Sequence, residues 1–152
     1  MESTFQEYPD LNEYIDEITH RIDLRFGSKQ SIILYRDLTK DAFTKGESSI
    51  NIAVVLGDRL GKGGHWSVGQ LVKELREFNP DYTSKLNVYF IPDIMIENPS
   101  LDYGHLDGAM YVERMMKPLK RFPLSSADSI DIREAGKILH GEDMQVRFPE
   151  AL

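Results

Sequence analysis

The sequence predicts an α/β fold of the α+β kind, a mixed β-sheet with helices packed against it. Three observations predict it. An amphipathic helical stretch opens the chain, three short apolar runs have strand character, and helical periodicity separates the second run from the third. The first helix spans about Leu11 to Arg25, with Leu11, Tyr14, Ile15, Ile18 and Ile22 on one face. Asp10 with Glu13 reads as its capping box, and Gly27 ends it. A strand follows at Ser31 to Tyr35, then a polar loop from Lys40 to Ser48. The second strand, Ser49 to Leu56, is rich in Ile and Val, as a buried strand should be.

The loop Gly57 to Trp66 carries four glycines. Ser67 with Gln70 reads as another capping box, and Val68, Leu71, Val72, Leu75 and Phe78 form a helical stripe that Asn79-Pro80 stops. A third strand is expected at Leu86 to Ile91 and a further helix at Leu106 to Met116, before Pro118. The segment Asp131 to His140 reads as a short helical or extended piece. A longish loop between the first two strands points to an antiparallel pair. A third strand reached through a helix makes the sheet mixed.

At 152 residues and 41% hydrophobic content, the chain fits one domain, 1–152. No apolar run is long enough to cross a bilayer, and Met1 to Asp10 is polar and acidic with no signal segment. There are no cysteines, which excludes disulfides, thiolate zinc sites and a cysteine nucleophile. Cytoplasm is the default location, with no membrane partner. A net charge of −7 repels phosphate backbones and argues against nucleic acid as a partner. Lys117, Lys120 and Arg121 form a local basic patch, read as a basic helix end complementing the macrodipole.

Several stretches carry a further pattern. They are Ile33-Leu34-Tyr35, then Ser48-Ser49-Ile50-Asn51-Ile52, then Leu86-Asn87-Val88-Tyr89, and a closing run, Glu134-Ala135-Gly136-Lys137-Ile138-Leu139-His140-Gly141-Glu142-Asp143. From about Leu11 to Asp143 this resembles the DNA polymerase beta-like nucleotidyltransferases, especially their small stand-alone prokaryotic members. The resemblance implies a nucleotidyltransferase-like fold. It also implies an apolar-Gly-Ser turn after the first strand, two aspartates on the second strand and one on the third. Those carboxylates hold two magnesium ions that activate a hydroxyl and neutralise a triphosphate.

The departures fall on those functional positions. Arg36 and Asp37 stand at the Gly-Ser turn, where a bulky side chain replaces backbone that approaches phosphate. Ser49 and Asn51 match the second-strand aspartates and Asn87 the third-strand one. Magnesium is a hard cation that prefers anionic oxygen, so three neutral side chains are expected to abolish two-metal chemistry. Side chains two apart on a strand share a face, which groups Ser49 with Asn51, with Asn87 joining from a neighbouring strand. Glu47 has the same parity and is the nearby carboxylate. The plainer reading of Asn51 and Asn87, and the preferred one, is a pair of buried amides hydrogen-bonded to each other or to backbone.

No catalytic residue and no metal ligand is therefore assigned. The expected function is a nucleotidyltransferase-like domain that has lost metal-dependent catalysis and works by binding a protein or a nucleotide. Ser49, Asn51 and Asn87 are its degenerate metal-site positions, and Arg36, Asp37 and Glu47 are candidate ligand-binding residues. Two alternatives stay open. One is an active nucleotidyltransferase with a rearranged magnesium site using Glu47, Asp37 or Asp41. The other is an antitoxin-like accessory subunit of a two-chain system. No cofactor is expected unless the enzyme alternative holds. A nucleotide is the candidate ligand, and another protein or a second copy of the chain is the candidate partner.

Other signals carry less. Gly57-Asp58-Arg59-Leu60-Gly61-Lys62 has three residues between Gly and Gly-Lys, where a Walker loop needs four, and no Ser or Thr follows the lysine. Asp102, His105 and Asp107 read as acids at a helix start rather than zinc ligands. His65 and Trp66 read as a helix entry, and Met110, Met115 and Met116 as adaptable core filling.

Overall fold

The structure is a computed structural model. It describes residues 8–26, 30–39, 43–45, 47–56, 70, 71, 73, 74, 77–99, 111, 112, 117, 118, 122 and 124–149. Helix α1 (Pro9–Phe26) leads into strand β1 (Gln30–Tyr35), a 3-10 turn (Arg36–Thr39) and strand β2 (Ile50–Leu56). Residues 70, 71, 73, 74 and 77 are helical. Short α2 (Pro80–Thr83), β3 (Leu86–Pro92) and α3 (Asp93–Glu97) follow, then the two-residue strands β4 (Tyr111–Val112) and β5 (Lys117–Pro118). Helix α4 (Ser126–Ala135), β6 (Lys137–Gly141) and a 3-10 turn (Gln145–Arg147) complete the order.

Among the described residues the strands form one six-stranded sheet, β5-β4-β3-β2-β1-β6. β1 runs antiparallel to both β2 and β6, while β2 and β3 are parallel. The sheet is therefore mixed, as the long loop and the helical crossover predict. Pairing Tyr35 with Asn51 and Asn51 with Asn87 fixes the register. With a period of two, Ile33, Tyr35, Asn51, Ala53, Val55, Asn87 and Tyr89 share one face. Ile32, Leu34, Ile50, Ile52, Val54, Val88 and Phe90 share the other.

Helix α1 lies on the second face. His140, the register partner of Ile32, meets Asp23 of α1 at 2.9 Å. Leu11, Tyr14, Ile15, Ile18 and Ile22 are all buried, so the predicted stripe is the buried one. Tyr14 stacks on Phe78 at 5.7 Å and tilts against Tyr82 at 5.2 Å, which ties α1 to the segment before β3. Helix α4 lies on the first face. Ser125 caps it by accepting the Asp128 N–H at 3.1 Å, and Gln145 closes its other end by donating to the Ile132 and Gly136 carbonyls. A Cβ at Gly136 would stand 2.7 Å from the Ile132 carbonyl oxygen and 3.1 Å from Ile33, so α4 reaches the sheet only because this residue has none. Among the described residues no helix is long and apolar enough to cross a membrane.

Several local expectations are corrected. Asp10 is not a cap. Pro9 takes the first helical position, where its missing N–H costs nothing, and Leu11 N–H bonds the Tyr8 carbonyl at 3.0 Å. Tyr111–Val112 is extended rather than helical, because Val112 pairs with Tyr89 at the edge of β3. Lys117 lies in β5, so it is not a helix end, while Lys120 and Arg121 fall outside the described residues. The tail segment resolves into the end of α4 and then β6. The stop at Asn79-Pro80 is present. Asn79 adopts φ 45°, a left-handed conformation that asparagine tolerates better than most residues.

Asp10 instead anchors a surface cluster. Its carboxylate accepts the Tyr82 hydroxyl at 2.8 Å and meets Lys45 Nζ at 3.6 Å. Lys45 lies 4.8 Å over the Tyr82 ring, and its N–H reaches the Tyr8 hydroxyl at 3.3 Å. The Tyr82 hydrogen bond, with Lys45 adding, holds the Asp10 carboxyl below its usual range against the opposing effect of burial. A depressed folded-state pKa gives stability that is present above the unfolded value and lost as pH falls through the folded one. Tyr82→Phe is therefore predicted to be less stable than the wild type at neutral pH, with the gap closing below about pH 4. Urea titrations of both proteins across that range check it.

Candidate functional site

Strand β2 leaves no residue exposed along its length, so a polar side chain there must find partners inside the protein. Asn51 is that residue, 3% exposed. Its register partner Asn87 donates through Nδ2 to the Asn51 Oδ1 at 3.3 Å. The Asn51 Nδ2 donates in turn to the Ser49 carbonyl at 3.4 Å. The two amides thus form a short ladder across β2 and β3, with Asn87 half-buried at its outer end. Ser49 lies just before β2 and supplies main-chain oxygen to this ladder.

Glu47 does not continue the strand. Glu47 and Ser48 both donate backbone N–H groups to the Thr44 carbonyl, at 3.1 and 2.9 Å, and the Ser48 hydroxyl accepts the Thr44 N–H at 2.9 Å. The chain turns there, so the two-residue parity that links Ser49 with Asn51 does not extend to Glu47, which is exposed. Asp37 is half-buried in the 3-10 turn, and Asp41 falls outside the described residues. Among the described residues no three His, Asp or Glu side chains gather as a metal-binding group.

Arg36 is the least expected part of the site. It leaves β1 with φ 66°, in the left-handed region that a non-glycine residue occupies at a cost of about 1–2 kcal/mol. Two carboxylates of α4 hold it there. Asp131 Oδ2 accepts the Arg36 backbone N–H at 2.7 Å, and Asp128 Oδ1 accepts the Arg36 Nε–H at 2.6 Å. The Asp128 hydrogen bond raises the Arg36 pKa against partial burial, with the charges of Asp128 and Asp37 adding. The Arg36 side chain is 48% exposed, so solvent screening limits the ion pair to roughly 1 kcal/mol or less. The bond to the backbone N–H is charge-assisted and does not depend on the guanidinium at 36.

Tyr35, beside Asn51 in the register, is buried; burial chiefly, then the Asp128 charge, pushes its phenol well above its usual pKa and keeps it protonated. Asp131 and Tyr89 act on it in the same direction. One end of this sheet face therefore brings together an amide pair, two tyrosines and an arginine clamped by two aspartates. Asp128 and Asp131 were not among the sequence candidates. They lie 92 and 95 residues beyond Arg36, and the only sequence trace of them is their i, i+3 spacing on one helix face. Among the described residues, the hydroxyl of Ser129, next to Asp128, is buried without a hydrogen-bond partner.

The glycine-rich run 57–64, His65, Trp66, Asp102, His105, Asp107, Met110, Met115 and Met116 lie outside the described residues. No protein-family model matches the chain, and no curated protein matches it.

The left-handed Arg36 gives a direct test. Arg36→Ala loses the Asp128 pair and keeps the backbone strain, whereas Arg36→Gly loses the same pair and relieves the strain. Arg36→Gly is predicted to be more stable than Arg36→Ala by about 1 kcal/mol in chemical denaturation.

Proposed function

We propose that this chain is a nucleotidyltransferase-like domain without two-metal catalysis, which works by binding a nucleotide or a protein. The observation that supports the reading most is the neutral Asn51–Asn87 pair. The resemblance puts carboxylates at these two positions, and here they are adjacent register partners joined through their amides. An aspartate pair in that geometry would repel itself unless a cation lay between the two carboxylates, whereas an amide pair is self-satisfying and has no use for one. The left-handed conformation at Arg36 also fits a turn in which the resemblance has glycine. A magnesium site rearranged around Glu47 has less support, because Glu47 sits in a turn instead of on the strand.

Ligand binding without metal follows from the same chemistry. The free face of the Asn87 amide and the Tyr89 ring offer hydrogen bonding and stacking, and the remaining donors of Arg36 can pair one phosphate. Calorimetry with ATP and GTP, each with magnesium and with EDTA, tests the reading. The predicted result is weak binding, unchanged by EDTA, with no metal-dependent nucleotidyl transfer from any common triphosphate. Binding that requires magnesium, or transfer that disappears on Glu47→Ala, contradicts it. No heat in either condition leaves protein binding as the function.

A further inference from the structure

The guanidinium of Arg36 already has its charge met within the protein. Asp128 accepts the Arg36 Nε–H at 2.6 Å, and Asp131 accepts the backbone N–H of the same residue at 2.7 Å. What Arg36 still offers a ligand is the outer edge of its guanidinium, on a side chain that is 48% exposed. Asp128 cannot withdraw to offer more. Its side chain is 13% exposed, and among the described residues its carboxylate bonds Arg36 alone, so giving up the pair would leave a charge largely cut off from water. A second carboxylate, Asp37, also acts on the Arg36 charge and is half-buried in the adjoining turn.

A phosphate on the outer edge of the guanidinium thus has Asp128 behind it, roughly 7 Å away and inside the Debye length at physiological salt. The first phosphate gains charge-assisted hydrogen bonds that outweigh this repulsion. Further phosphates meet no second cation among the groups that hold Arg36. Each adds repulsion from Asp128 and Asp37, and the neutral Asn51–Asn87 pair supplies no charge to offset it.

We infer that Asp128 is the specificity-determining residue of this site: its fixed charge makes the site take a nucleoside monophosphate in preference to the corresponding triphosphate. The inference rests on the nucleotide-binding reading proposed for the chain and names the ligand class within it. A site with cations in excess would do the reverse and hold the triphosphate more tightly.

NMR titration of the full chain with AMP and with ATP, in EDTA and again in magnesium, reads the preference through the backbone amides and the Arg36 Nε–H. In EDTA the wild type should bind AMP about threefold or more tighter than ATP. Asp128→Asn keeps an oxygen to accept the Arg36 Nε–H and removes the charge. It should tighten ATP about threefold or more and AMP less, so that the two affinities converge. A purely structural role for Asp128 predicts the opposite sign, because a loosened Arg36 would weaken both nucleotides. Asp16 is exposed on α1, across the sheet from α4, and Asp16→Asn removes the same charge from the chain. It should change neither affinity by as much as about twofold. Circular dichroism checks that each variant stays folded. ATP tighter than AMP in the wild type, or an Asp128→Asn variant that weakens both or leaves the gap as it was, overturns the inference and leaves metal-free nucleotide binding standing. Binding only in magnesium, or of neither nucleotide, overturns the inference together with the nucleotide reading beneath it.

Discussion

Strand β2 is buried on both faces and lies between β1 and β3, so it has room for only one kind of polar side chain: one whose hydrogen bonds are met within the sheet. An ion at Asn51 would have to leave water with no opposite charge on β1, β2 or β3 to receive it, at a cost of several kcal/mol. An amide meets the constraint through its two partners, Asn87 across the parallel ladder and the carbonyl two residues back. The rest of the site follows from that choice. Once this end of the sheet face is neutral, the strongest charges around it are the Arg36 guanidinium and the α4 carboxylates, and they satisfy one another.

Helix α4 links this site to the body of the fold. Its start is fixed by the Ser125 cap, its end by Gln145 and the missing side chain of Gly136, and its flank by Arg133, which donates to the carbonyls of Val146 and Phe148. The helix therefore has little freedom to slide. Asp128 and Asp131 stand one turn apart over the end of β1, where they hold Arg36 in a backbone conformation it would otherwise avoid. The energies decide the roles. The exposed ion pair is worth less than the strain at φ 66°, so the charge-assisted bond from the backbone N–H to Asp131 and the packing of α4 carry most of the restraint.

Much of this was legible in the sequence wherever a periodic apolar pattern coincided with burial. The stripe of α1 and the runs of β1, β2 and β3 are of this type, and the antiparallel and parallel pairings follow from the lengths and character of their connections. The two-residue period was enough to put Asn51 on a shared face, and the third apolar run was enough to bring Asn87 beside it. Three things were not legible. The Leu106 to Met116 stretch has helix-forming residues, yet Tyr111–Val112 pairs at a sheet edge, where tertiary contact outweighs local propensity. Glu47 has the right parity but lies in a turn, because the bonds to the Thr44 carbonyl bend the chain before the strand begins. The partners of Arg36 come from a helix at the far end of the chain, and no local spacing announces them.

The central claim is that charge at two adjacent positions separates this site from a metal site. The most direct measurement is the effect of magnesium and manganese on the stability of the wild type and of the Asn51→Asp/Asn87→Asp variant. In the absence of metal the variant should be destabilised at neutral pH by at least about 2 kcal/mol, since a buried carboxylate at 51 and a half-buried one at 87 face each other. Saturating metal should return about 1 kcal/mol or more to the variant and leave the wild type unchanged. A metal-dependent gain in the wild type, or none in the variant, contradicts the account.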